Sequence, residues 1–152
     1  MKKSLLVLSS ILLLSTASIA NENSAKGLNV IITSGDAQTQ MMGMALSMAT
    51  LKQKKEVIMT LCSKGGDLAV KDMESPILKP MNKSPKMMVQ ALINEGAKVE
   101  LCPIYLPNSS NDKAVLLDGI TIATPQKGAA MLLNKDYQKV ETKSFYLFSM
   151  VA

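Results

Sequence analysis

The chain has 152 residues, with 17 basic side chains (all lysine) against 12 acidic ones, a formal net charge of +5, and no histidine or tryptophan. Without histidine the commonest general base and the commonest metal ligand are missing, which excludes Ser-His-Asp and Cys-His catalysis and histidine-based zinc or iron sites. Without arginine or tryptophan, and with only three tyrosines and two phenylalanines, bidentate base contacts and base-stacking platforms are also missing, which argues against nucleic-acid binding.

Residues 1–20 carry the three parts of a secretory signal peptide. Lys2 and Lys3 supply the positive start, Leu5–Leu14 an apolar stretch broken only by Ser9 and Ser10, and Ser18-Ile19-Ala20 the small residues of a cleavage site. The apolar run falls short of the ~20 residues that a spanning helix needs, and no cysteine sits at the cleavage point to take a lipid. The expected mature chain, Asn21–Ala152, is periplasmic and leaves the membrane once cleaved. It keeps both cysteines and 11 of the 12 methionines, and it has the length of one domain with a real core. Residues 21–27 are expected to be a disordered leader and 28–152 a single α/β domain.

The apolar, β-branched run Leu28–Thr33 predicts a first strand. Ser34-Gly35-Asp36 breaks it and can cap a helix from Ala37 to about Lys54, where Met41, Met44, Met48 and Leu51 recur at helical period. Glu56–Cys62 is expected to be the second strand, followed by a turn and a short helix over Asp67–Asp72. Pro76 and Pro80 make Met73–Ser84 a loop. Ser84-Pro85 starts a helix that runs to Glu95 and stops at Gly96. Lys98–Tyr105 is predicted as the third strand, with Pro103 ending its regular pairing. A loop at Pro107–Asn111, a short helix at Asp112–Leu117, a strand at Ile120–Ala123 and a helix from Thr124-Pro125 to Leu133 follow. Thr142–Val151 is expected to supply the last strand. Apolar strands alternating with helices imply a three-layer α/β/α domain around a five-stranded, mainly parallel sheet. Its expected core holds Val30, Ile32, Val57, Met59, Leu61, Val99, Leu101, Ile120 and Leu147.

Sulfur is the distinctive chemistry. Ligands of open parallel sheets bind beyond the carboxyl ends of the strands, and Cys62 and Cys102 both fall at that rim, as does the helix start bearing Met41, Met42 and Met44. Cys102, followed by proline and a polar loop, can be partly exposed, as a reactive thiol must be. Three uses remain open. Cys102, with Cys62 as second thiol, can handle sulfane sulfur as a persulfide, with Lys64 or Lys113 available to favour the thiolate. Cys62, Cys102, Met41, Met42 and Met44 can instead bind Cu(I), because thiolate and thioether ligands select soft metals. Or the two cysteines form a structural disulfide in a ligand- or subunit-binding domain, while methionine at helical spacing simply fills the core.

The segments Ser-Gly-Asp-Ala-Gln-Thr-Gln-Met-Met (34–42), Leu-Cys-Ser-Lys-Gly-Gly-Asp-Leu-Ala (61–69), Leu-Cys-Pro-Ile-Tyr-Leu-Pro-Asn (101–108) and Leu-Leu-Asp-Gly-Ile (116–120) together resemble the DsrE/DsrF/TusD-like family of small sulfur-relay proteins. They are most similar to a periplasmic, signal-peptide-bearing branch of that family. The resemblance spans about Leu28 to Phe148. It implies a five-stranded parallel sheet, homo- or hetero-oligomers, a sulfur donor or acceptor protein as partner, and an active cysteine near the third strand, matched here by Cys102. It makes the protein at most a sulfur carrier or a sulfurtransferase-like enzyme. Protein recovered from the periplasm should begin at Asn21; an intact mass that retains residues 1–20 would overturn the export reading.

Overall fold

The structure, a computed structural model, describes residues 25–109 and 115–143. Five strands, β1 (Gly27–Ile32), β2 (Glu56–Leu61), β3 (Lys98–Leu101), β4 (Thr121–Ile122) and β5 (Tyr137–Thr142), form one all-parallel sheet in the order β4-β3-β2-β1-β5. The main helices are α1 (Ala37–Lys52), α2 (Pro85–Asn94), the short α3 (Tyr105–Asn108) and α4 (Pro125–Leu133). This is the three-layer α/β/α architecture expected from the alternating pattern. Among the described residues no helix is long and apolar enough to cross a membrane.

Local chemistry places the helices. Asp36 accepts a hydrogen bond from the Thr39 N–H at 2.7 Å and caps α1. Ser84 accepts from Met87 N–H at 3.1 Å ahead of Pro85 and caps α2, and Thr124 accepts from Lys127 N–H at 3.3 Å ahead of Pro125 and caps α4. Each pairing satisfies an amide that the first turn leaves without a partner. Gly96, at φ 95°, ends α2 in a conformation that glycine adopts without cost.

Strand parity then divides the sheet into two faces. Val30, Met59 and Val99 lie on one rung and Ile32, Leu61 and Leu101 on another, all pointing to one side. They are buried there with Met41 and Met44 of α1 and Met88, Val89 and Leu92 of α2. Gly43 lets α1 lie close, since a Cβ there would come within 2.7 Å of Ile32 Cδ1. Among the described residues, the opposite face, with Asn29, Ile31, Ile58, Thr60 and Glu100, is crossed by α4. A helix about 10 Å across cannot cover five strands spaced ~4.8 Å apart, and no residue of α4 is buried.

Several elements depart from expectation. β3 ends at Leu101 rather than Tyr105, and Tyr105–Asn108 is helical rather than extended or loop. The short helix expected at Asp67–Asp72 begins earlier, as a 3-10 helix over Ser63–Ala69 that takes in the expected turn and buries Leu68 and Ala69. Residues 115–117 are not helical; Leu116 bridges antiparallel to Val70, and the rest of the helix expected at Asp112–Leu117 falls at 112–114, outside the described residues. The fifth strand is Tyr137–Thr142, polar in sequence because it is an edge strand pairing only with β1. The segment 144–151 expected to supply it, with Leu147 of the expected core, lies outside the described residues, as do residues 1–24. Ile120 is only partly buried, since it precedes the two-residue edge strand β4.

The contrast between two neighbouring methionines tests this packing. Met44 is fully buried, whereas Met42 is 60% exposed. Met44→Ala should lower stability to chemical denaturation by about 2–5 kcal/mol and Met42→Ala by less than about 0.5 kcal/mol; equal losses would contradict the orientation of α1.

Candidate functional site

Cys62 and Cys102 directly follow β2 and β3 and continue their ladders by one rung. The Cys62 N–H donates to Ile32 O and the Cys102 N–H to Leu61 O, both at 2.9 Å. Leu61 and Leu101 are paired, so the next rung sets Cys62 opposite Cys102, ~4.8 Å apart along the hydrogen-bonding direction. Both side chains point to the face that α4 covers. Cys62 is extended (φ −131°, ψ 163°). Immediately after it the chain turns at Ser63, in the left-handed region at φ 49°. Gly65 makes that turn possible, because a Cβ there would lie 2.2 Å from Ile32 O.

The two thiols are free and line one cavity. Burial, then interaction with the Cys102 thiol, then the nearby Glu141 carboxylate push the Cys62 thiol up to about 12. Cys62 therefore keeps its proton at neutral pH.

Both thiols open into a cavity of about 320 Å³ between the sheet and α4. Its walls are mostly apolar, from Ile31, Ile58, Pro103, Ala123 and Leu132. Its polar groups are few and placed. Glu100 is 5% exposed and ion-pairs with Lys127, which pins the first turn of α4 to β3. Asn29 is 2% exposed and lines the same cavity, and its side-chain Nδ2 has no hydrogen-bond partner among the described residues. A buried amide donor left unpaired is costly, and a bound acceptor would satisfy it. Met131 of α4 brings a thioether to the same cavity.

The structure thus unites Cys62 and Cys102 but does not bring the methionines of α1 to them. Met41 and Met44 are buried between α1 and the other face of the sheet, Met42 points to solvent, and none of the three lines the cavity. The expectation that one of them leans over the thiols is corrected here: the helix starts at the right rim, but it packs against the wrong face. Among the described residues no group of three or more Cys, Asp or Glu could hold a metal ion. Lys64 lines a second, more polar cavity of about 430 Å³, with Asp67, Tyr105 and Asn108. There Tyr105 donates to Asp67, and burial first, then that hydrogen bond, pushes its hydroxyl well above its ordinary value. Lys113 lies outside the described residues.

Asn29, Glu100 and Met131 were not singled out by sequence. The available signal was a lone polar side chain inside an apolar strand, Leu28-Asn29-Val30-Ile31-Ile32 and Val99-Glu100-Leu101-Cys102. Alkylation of the folded, reduced chain at pH 8 should leave Cys62 unmodified until the pH approaches 12, since the thiolate is the reacting form. Rapid labelling of Cys62 at pH 8 would contradict this arrangement.

No family model and no curated protein matches the chain. Among solved structures it is similar to the crystal structure of the YchN protein from E. coli. That likeness has a TM-score of 0.62 at 18% identity and covers 77% of this chain and 99% of the other. At that identity it establishes a shared fold: the sheet and helices described above are those of that structure.

Proposed function

We propose that the protein is an exported, DsrE-like thiol protein that carries sulfane sulfur as a persulfide on Cys102. The observation carrying this reading is the juxtaposition of two thiols, one of which holds its proton, in a mostly apolar cavity at the carboxyl ends of β2 and β3. The Cys102 thiolate attacks the outer sulfur of a donor persulfide, the donor thiol departs, and a new S–S bond leaves Cys102 as the persulfide. An acceptor thiol reverses the step. Cys62, opposite Cys102 on the same rung, is placed to offer its S–H to a charge on Cys102, and the apolar walls shield the persulfide from solvent. No acid–base partner beyond the pair is needed, in keeping with a chain that has no histidine.

Exposed Ile104 and Leu132 line the cavity, and Ile122 and Leu133 are exposed nearby in β4 and α4. This apolar surface suits a donor or acceptor protein, or a second copy in a homo-oligomer. A second reading is Cu(I) binding. It is favoured by Met131, which adds a thioether to the two thiols in one cavity. It ranks lower because a metal would have to displace a proton that Cys62 holds up to about 12.

Protein treated with a sulfane-sulfur donor should gain about 32 Da, the mass of one sulfur, and Cys102→Ala should abolish that gain. Loading that survives Cys102→Ala would reject the persulfide assignment. Copper recovered with the protein and lost in both Cys102→Ala and Met131→Ala would favour the second reading.

A further inference from the structure

The persulfide reading gives Cys102 the sulfur and leaves Cys62 as a bystander, yet no residue is better placed to act on what Cys102 carries. We propose that Cys62 is a resolving thiol: it attacks the inner sulfur of a Cys102 persulfide, forming a Cys62–Cys102 disulfide and releasing the outer sulfur as hydrogen sulfide. This inference rests on the persulfide reading of Cys102 and extends it from sulfur transfer to reductive sulfur discharge.

The ladder supplies the geometry. Register places the two cysteines on one rung of adjacent parallel strands, at a separation of ~4.8 Å. That falls within the Cα separations of about 4.4–6.8 Å found for disulfides. Both side chains lie on the same face and line the same cavity. The cavity beside them leaves room for the outer sulfur of a persulfide and for its departure.

Atoms and electrons balance within the site. The S–S bond of the persulfide breaks and the S–S bond between the two cysteines forms. The departing sulfur gains two electrons, one from each cysteine sulfur, and leaves as HS⁻. The proton given up by Cys62 converts it to H₂S. A dithiol reductant outside the chain then returns the disulfide to two thiols by exchange. The division of labour follows from the placement of the pair: Cys102 carries the sulfur, and Cys62, opposite it on the same rung, is the thiol that reaches its inner sulfur.

The test uses the full mature chain, reduced, then exposed to inorganic polysulfide and freed of excess reagent. The wild-type protein should pass through a species heavier by about 32 Da. It should finish about 2 Da lighter than the reduced chain, with sulfide released in step with the disulfide. Cys62→Ala should stop at the heavier species and release sulfide at least about ten-fold more slowly. Cys62→Ser, which keeps the size and hydrogen bonding of the side chain, should behave in the same way and guards against a packing defect in the alanine variant. Sulfide release at the wild-type rate from both variants overturns the inference. So does a wild-type persulfide that persists as long as that of Cys62→Ser, an outcome that leaves the carrier reading intact. Failure of wild type and both variants to gain sulfur overturns both.

Discussion

One hydrogen bond, from the Cys102 N–H to Leu61 O, fixes the chemistry of this protein. It extends the β2–β3 ladder one rung past the last paired residues, Leu61 and Leu101. In a parallel pair, residues on one rung point to the same face, so both thiols must emerge together. A slip of one residue would turn one cysteine into the methionine-rich core and the other out of it. The same parity that buries Leu61 and Leu101 at 0% exposure therefore presents Cys62 and Cys102 to the opposite side. The core that stabilises the register is also what aligns the pair.

What that opposite side can do depends on unequal cover. Among the described residues, two longer helices, α1 and α2, close one face, and the nine-residue α4 crosses the other. The gap left beneath α4 is the cavity. Its polar groups would be a liability in a closed core. Glu100 is tolerable because Lys127 reaches it from the first turn of α4, and this ion pair anchors a helix that buries none of its own side chains. Asn29 has no such compensation. A strand that otherwise consists of Leu28, Val30, Ile31 and Ile32 would be better served by an apolar residue at that position, which makes the amide a feature of the cavity rather than of the fold.

Much of the fold was legible because its signals are local. Ser84-Pro85, Thr124-Pro125 and Gly96 act within one turn of where they sit, and each starts or stops a helix where sequence placed it. The seven expected core residues from Val30 to Leu101 are buried for the equally local reason of strand alternation. Errors arose where the answer depends on distant chain. β5 is the polar Tyr137–Thr142, because its residues need only pair with β1 and tie down its end, where Tyr137 donates to Glu56. Hydropathy pointed instead to the apolar segment beyond it. The methionines of α1 failed for a different reason. Their rim was correct, but sequence does not tell which face of the sheet a helix will cover, and that choice separates a ligand from a core residue. Met131 was invisible for the converse reason, since only the crossing of α4 brings it near the thiols.

The pairing of the thiols also answers a difficulty that export would pose. A solitary reactive thiol in an oxidising compartment climbs through sulfenic to sulfinic and sulfonic acids, and the later steps are irreversible. A second thiol on the same rung intercepts the first oxidation product as a disulfide, which exchange chemistry can reverse. A buried, protonated Cys62 suits this task. It is slow to react with reagents from solution, because so little of it is thiolate, but it stands opposite Cys102 on the same rung. A fully exposed partner would be oxidised or alkylated alongside Cys102, and a fully buried one on the core face could not reach it. The half-buried position that β2 gives Cys62, at the edge of a thinly covered face, meets both requirements at once.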